Sequence, residues 1–428
     1  MLPRQAVCSR LLRSRRPASR SACTVATLKS DFVTLTHPTS VVADSGKDAM
    51  SAGHVAGLFA GIGGFEKGLA SAGFEVDLLC DAWEHAASTL ARRFPGVSIV
   101  GDIVELKALP AVEVVTAGFP CTDLSQVGRV AGIDGNESGL VREVFRLVDS
   151  ASPRWLVLEN VPNMLALHGG QAMAFITGWL ETHGWNWAYR TVDSRSSGVA
   201  QRRRRVILVA SKVEDPRQVL FADEAGLSLR RADTPSAYGF YWTEGNRGVG
   251  WAPDAVPTLK GGSKLGIPSP PAVWLPNERR GNAIVRPDIR AAERLQGFPA
   301  GWTDHVEREG HRWKLVGNAV TVNVAKWVGQ RLREPGQPVD VETKPLADVK
   351  RWPAAAAGVA GCREAWFLSE VPLRKRRQRL TDILRVSGMH PLSRTATAGF
   401  AKRLGASRLR AGGDEFRAAL SDHVAEMS

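Results

Sequence analysis

The chain has 428 residues, 44% hydrophobic and 23% charged, which is enough to bury one large domain and a smaller one. No apolar run approaches the roughly 18 to 20 residues that span a bilayer, which argues against an integral helical membrane protein. The net charge of +13 favours a polyanionic partner. The segment before Met50 holds eight Lys/Arg against three Asp/Glu, so the body of the chain keeps a surplus of +8.

Residues 1–50 carry Arg4, Arg10, Arg13, Arg15, Arg16 and Arg20 among Ser and Ala, with no acid before Asp31. Organellar transit peptides share this composition. A disordered leader, or a start codon upstream of the true one at Met50, explains it as well and is preferred, because nothing in the segment is patterned.

Residues 51–211 alternate short apolar runs with longer amphipathic ones, the pattern of βαβ units and of an α/β fold with a mostly parallel sheet and helices on both faces. Strands are expected at His54–Phe59, Val76–Cys80, Val112–Ala117, Trp155–Leu158 and Arg205–Ala210, and helices at Glu84–Phe94, Leu140–Ser150 and Gln171–His183. Residues 212–290 are rich in Pro and Gly, weakly periodic, and carry Tyr238, Phe240, Tyr241, Trp242, Trp251 and Trp274, which marks a small irregular module. Residues 291–333 return to a helical pattern over Val316–Leu332, ended by Glu334-Pro335-Gly336. Residues 334–428 form an extension of unassigned role with two modest helical segments. Its basic run Arg374–Arg377 is expected on a solvated helix face, with phosphate contact as the alternative.

The candidate site residues cluster at strand ends. The first strand runs into Phe59-Ala60-Gly61-Ile62-Gly63-Gly64, where glycines let the backbone bend tightly and approach a ligand. A simple tight turn has the same pattern, and GxGG is not the GxGxxG dinucleotide fingerprint, which disfavours NAD. The next two strands end at Asp81 and Asp102, one placed to accept from ribose hydroxyls and the other from an adenine amino group. Strand-end aspartates are common, and only the combination with the glycines describes a nucleoside-binding edge. The five cysteines form no CxxC pair, so neither a zinc site nor a disulfide framework is expected. Cys121 follows Pro120 in a polar loop at the end of the fourth strand, a place for chemistry rather than packing. Glu159 ends the next strand on the same edge, and alternation along Gln201–Arg205 points Gln201, Arg203 and Arg205 to one side.

This ordered set, FAGIGGF, GDI, GFPCTDLSQ, ENV, QRRRR, RLQGFP and GNAV, resembles the cytosine-5 DNA methyltransferase family over about residues 53–332. Thr122, Ala200 and Arg204 depart from the family's usual Gln, Pro and Glu.

The resemblance implies an S-adenosylmethionine-dependent methyltransferase (Rossmann-like) fold whose last strand is antiparallel. It also implies a DNA cytosine-5 methyltransferase that rotates its target base out of the duplex. Under it, Cys121 is the nucleophile at C6, Glu159 supports N3, and Arg203 and Arg205 hold the base carbonyl, Glu159 and phosphates. Phe59, Gly61, Gly63, Gly64, Asp81, Trp83, Asp102 and Asn318 would hold S-adenosylmethionine, with Trp83 either an adenine platform or a packed helix residue.

The partner expected is double-stranded DNA, with a cognate restriction endonuclease acting independently, no membrane, a monomer and a cytoplasmic location. An RNA cytosine-5 methyltransferase and a catalytically silent DNA-binding protein are the alternatives. The intact Cys121, Glu159 and arginine pair weighs against the silent one.

Overall fold

The computed structural model describes residues 53–120, 139–226, 234–244, 248–262, 269–278 and 281–427. Short Val/Leu/Ala-rich runs become strands where both faces can be covered. The first are β1 (Gly53–Leu58), β2 (Phe74–Cys80), β3 (Ser98–Val100), β4 (Val114–Ala117) and β5 (Trp155–Asn160). They pair in parallel in the order β3-β2-β1-β4-β5. Helices α1 (Gly64–Ala70), α2 (Glu84–Arg93) and α3 (Leu140–Ala151) lie between them in sequence, and α4 (Gln171–Thr182) follows β5. Successive strand residues alternate between two cores. Val114, Trp155 and Val157 pack with Leu69 of α1, whereas Val115, Leu156 and Leu158 pack with Val144 of α3 and Ile176 of α4.

Beyond β5 the sheet turns antiparallel. Strand β6 (Asn186–Asp193) leads through the short β7 (Gln201–Arg202) into β8 (Arg204–Ser211), which inserts between β5 and β6 and runs opposite to both. The expected antiparallel strand is therefore present. β6 was not anticipated, because Asn186, Arg190, Thr191 and Asp193 break its apolar signal. Arg190 is nevertheless fully buried, its guanidinium donating to the carbonyls of Ser369, Leu220 and Asp223 and to Glu224.

A single turn, α5 (Arg217–Leu220), leads into the smaller sheet. Its strands are β9 (Tyr238–Phe240), β10 (Ala252–Pro253), β12 (Ala272–Trp274) and β13 (Ile284–Pro287), while β11 (Val256–Pro257) pairs with β7 and ties the two parts together. The return segment forms α6 (Ile289–Leu295), α7 (Glu309–Asn318) and α8 (Val322–Arg333). The single helical pattern expected over Val316–Leu332 is thus two helices, broken at an extended Ala319 whose carbonyl accepts from Arg203 and Gln296. Tertiary hydrogen bonds claim a carbonyl that a continuous helix would have used.

The extension belongs to both sheets. β14 (Thr343–Pro345), β15 (Ala355–Val359) and β16 (Cys362–Trp366) continue the large sheet past β6 in the order β6-β15-β16-β14. After α9 (Leu380–Ser387), β17 (Met389–Pro391) pairs with β13 at the edge of the smaller sheet. Helices α10 (Arg394–Gly405) and α11 (Gly413–Glu426) then cover that sheet, making three helices where two were expected. Phe400 and Phe416 each lie 5.0 Å from Phe240, and Trp251 and Trp274 lie 5.0 and 5.1 Å from Tyr238. Of the aromatic residues of the middle segment, Tyr238, Phe240, Trp242, Trp251 and Trp274 pack in a core shared with the extension.

Arg374–Arg377 is extended chain rather than a helix face. Lys375 N donates to Ser196 O and Gln378 N to Gly198 O, so the run is laid along the 196–198 turn.

Phe416 is fully buried between the extension and the smaller sheet. Phe416→Ala should cost about 3 to 5 kcal/mol in denaturant unfolding. Loss of the near-ultraviolet signal of the tryptophan cluster should accompany it. A change below about 1 kcal/mol would mean that the extension does not support this sheet.

Candidate active site

The carboxyl ends of β1, β2, β4 and β5 share one edge of the parallel sheet. After β1 the chain turns through Phe59, whose φ of +52° is uncommon for an aromatic residue and marks a constrained turn. Ala60 N donates to Cys80 O (3.0 Å) and Gly61 N to Asp81 Oδ2 (2.8 Å). Asp81 Oδ1 accepts from Trp83 N (3.0 Å), so the carboxylate clamps the glycine turn to the end of β2. Burial raises the Asp81 carboxyl above its usual range, and the two backbone bonds partly offset this.

The three glycines differ in what they do. A Cβ on Gly61 would point into open space, whereas one on Gly63 would strike the Phe94 ring and one on Gly64 the Val320 carbonyl. Gly61 leaves room for a ligand, and the other two allow close packing. Asp102 is exposed, and its Oδ1 accepts from Val104 N (2.9 Å). Trp83 caps α2 with the Lys314 ammonium 4.4 Å from its ring centroid and His311 against its edge, so one ring face is already occupied.

One cleft gathers Phe59, Gly61, Gly118, Glu159, Asn318 and Val320. Glu159 is 8% exposed. Arg205 Nε lies 2.8 Å from Glu159 Oε1, an ion-pair contact off the hydrogen-bond line, so that buried oxygen lacks an aligned donor.

The two arginines divide their work. Arg203 is buried and donates to the carbonyls of Leu259 (3.4 Å), Gly317 (3.0 Å) and Ala319 (2.8 Å). Burial lowers its pKa well below the usual value, and the neighbouring Arg205 lowers it further. Gln201, on the same side, donates to Leu295 O and Gln296 Oε1 and accepts from Leu259 N. These side chains fasten the segment after β11 and the end of α7 beside the cleft.

Cys121 lies outside the described residues, as do Thr122, Arg247, Lys264, Arg279 and Arg280. The approach to Cys121 is described. Asn160 Nδ2 donates to Phe119 O (3.0 Å) while Asn160 Oδ1 accepts from Val161 N, which fixes the chain two residues before the cysteine. Asn160 was visible in the ENV motif, though no role had been attached to it.

Glu66, on α1, was missed. It is fully buried, lines the cleft, and accepts from Thr116 Oγ1 (2.8 Å) through one oxygen, while Oε2 has no partner. Its side chain lies across Gly57, where any Cβ would collide with it. Burial pushes its carboxyl up to about 7, Asp81 adds to this, and Thr116 and its own backbone N–H pull back.

The C-5 cytosine-specific DNA methylase family model matches residues 54–238 and 277–334. The chain is 45% identical to the type II methyltransferase M2.BsuMI of Bacillus subtilis (strain 168), over 82% of this chain and 92% of that protein. It is 28% identical to the type II methyltransferase M.PspPI of Psychrobacter sp. (strain TA137), over 64% and 77%.

The chain belongs to the C-5 cytosine-specific DNA methylase family.

It is a DNA cytosine-5 methyltransferase, and enzymes of this family in general take their methyl group from S-adenosylmethionine. The crystal structure of S. pombe Dnmt2 methyltransferase has the same fold, with a TM-score of 0.50 and 15% identity over 66% of this chain and 98% of that one. One departure from the family pattern has a local reason in this methylase. Arg204 pairs with Glu370 of the extension.

Two outcomes follow from these buried charges. Arg203→Lys cannot serve three carbonyls from a planar fork, and it should lower stability by about 3 kcal/mol or more in denaturant titration. Glu66 has a folded pKa above its unfolded value, so its ionisation opposes folding. That penalty is absent below the unfolded value of 4.5 and complete above about 7. Glu66→Gln should therefore be more stable than wild type at pH 8, by about 3 kcal/mol, with the gap closing as the pH falls to 4.5. Melting curves across that range, read without ligand, measure it. A gap independent of pH would refute the buried charge.

Proposed function

We propose that the cleft between Gly61, Glu159 and Asn318 is where this methyltransferase brings S-adenosylmethionine and a flipped-out cytosine together, with Cys121 as the covalent nucleophile. The observation that carries the reading is Glu159 Oε1. This buried carboxylate oxygen has no aligned donor, sits beside Arg205, and opens on the same cleft as the glycine turn. Such an atom suits a ligand that brings its own N–H.

The residues present fit the cofactor. Gly61 offers an open backbone approach, and the partnerless Glu66 Oε2 on the cleft wall suits a cationic ligand. Phe59, Gly61 and Asn318 would hold it, with Asp81 keeping the turn in place and Trp83 and Asp102 at the adenosine end. Gly63 and Gly64 would shape the turn by packing. When bound, S-adenosylmethionine supplies the methyl group as a sulfonium electrophile.

The Cys121 thiolate adds to C6 of the base, and the ring electrons gained at C5 take the methyl group. Loss of the C5 proton then expels the thiolate and restores the ring. Glu159 acts from its protonated form, donating a hydrogen bond to N3 while charge resides on the ring, and Arg205 holds Glu159 and the base carbonyl. Arg203 acts at one remove, by positioning the cleft wall.

Residues 212–290, with the helices of the extension as their support, serve as the target-recognition module on duplex DNA. The enzyme acts as a monomer, independently of any cognate restriction endonuclease.

Cys121→Ser should abolish methyl transfer while DNA and cofactor still bind. Duplex containing 5-fluorocytosine should trap wild type as an adduct stable to denaturation, since fluorine cannot leave as the proton does. An adduct mapped by mass spectrometry to another cysteine would overturn the assignment. Glu159→Gln should lower the methylation rate about 100-fold or more with DNA affinity retained.

Specificity has its own signature. Across an alanine scan of residues 212–290, at least one change should relax a single position of the preferred site by about 1 to 3 kcal/mol. Alanine at Arg374–Arg377 should instead weaken all sites alike and flatten the salt dependence. Bisulfite sequencing of a random duplex library separates the two. Replacing the whole segment without changing the site would place recognition elsewhere.

A further inference from the structure

Glu66 has no part in the chemistry above, yet it is a fully buried carboxylate on the wall of the reacting cleft. Its Oε1 accepts from the Thr116 hydroxyl, and its buried Oε2 has no partner in the protein. A carboxylate left this way opposes folding, and a glutamine or an apolar side chain would suit the same space better. Its surroundings make room for it. Gly57 lacks the Cβ that would collide with it, and Thr116 on β4 supplies the hydroxyl it accepts from. The cleft it lines also holds Gly61, Gly118 and Glu159, where the cofactor reading above brings the methyl group to the base. A buried negative charge at that place attracts a cation and is indifferent to a neutral thioether of the same shape.

We infer that Glu66 is a charge-discriminating residue of the cofactor site, whose buried carboxylate favours the cationic sulfonium of S-adenosylmethionine over the neutral S-adenosylhomocysteine left after transfer. The inference rests on the cofactor reading above. Methyl transfer removes the positive charge from the cofactor and leaves Glu66 buried without a counter-charge, so the product is bound less well than the substrate. The residue thus contributes to the direction of exchange after each turnover.

Calorimetry on the full-length protein tests this with three ligands. These are S-adenosylmethionine, S-adenosylhomocysteine, and sinefungin, which carries a protonated amine where the sulfonium stands. Glu66→Gln should weaken the two cationic ligands about tenfold or more while changing S-adenosylhomocysteine less than about twofold. Thr116→Val, which strips the carboxylate of its donor and favours its protonated form, should shift the same ratio in the same direction and serves if the glutamine variant does not fold. An equal loss for all three ligands would show contact with a part they share, and unchanged affinities would show a structural carboxylate. Either result overturns the inference while leaving the cofactor site standing. Failure of wild type to bind any of the three would instead bring down the cofactor reading, and the inference with it.

Discussion

A guanidinium presents five donors in a rigid plane and gives up its proton with difficulty, so burying one obliges the surrounding chain to bring acceptors to it. Arg203 imposes that obligation on two distant segments of this molecule. Its fork takes the carbonyls of Leu259, Gly317 and Ala319, which lie 56, 114 and 116 residues further along the chain. Meeting it stops α7 at Asn318, straightens Ala319, and sets Val320 over the glycine turn, where only a glycine at position 64 leaves room for its carbonyl. Gln201 and Gln296 repeat the device with amides. Gln296 donates to Val316 O and Ala319 O and accepts from Thr321. One wall of the cleft is therefore fixed by buried polar side chains rather than by helix propensity, which would have run α7 and α8 together.

That distinction separates what was legible in the sequence from what was not. The parallel half of the sheet and its flanking helices followed from apolar periodicity. Val114–Ala117 and Leu140–Ala151 have no competing demand on their backbone groups, so local pattern and final structure agree. β6 carries Arg190 at full burial, answered by Ser369 and Glu224 from segments that no local window contains. The break at Ala319 depends on Arg203 in the same way.

Among the candidate site residues, the sequence placed those on the glycine turn and at the ends of β2 and β5 at strand ends, and the structure has them there. Glu66 was hidden because a glutamate in the first turn of a helix ordinarily faces water, and nothing local says that Gly57 has made room for it inside. The aromatic residues of the middle segment suggested a separate module. Tyr241 apart, they are instead the lining of a core that is finished some 130 residues later by Phe400 and Phe416.

The extension explains a further feature of the chain. Arg204 stands where the family commonly has an acid, and the added segment supplies Glu370 to meet it. Ser369 beside it takes Arg190, and Lys375 and Gln378 close on the turn that leads into β7. Each contact falls on β6, on β8 or on the turn between them. The extension thus braces the strands from which Arg203 and Arg205 project, and through β17 it braces the smaller sheet as well.

Buried polar atoms without partners are uncommon in folded proteins, and here Glu66 Oε2 and Glu159 Oε1 line one cleft, with Arg203 Nε buried behind the Ala319 segment of its wall. Two are carboxylate oxygens and one belongs to a cation, so neutralisation within the protein was available in principle. The geometry declines it. Arg203 spends its other donors on carbonyls, and Arg205 approaches Glu159 off the hydrogen-bond line. What results is a set of charges held apart in a buried environment, where each acts more strongly than it would in water. The cost falls on stability, and the bracing by Arg203, Gln201 and the extension lets the fold carry it.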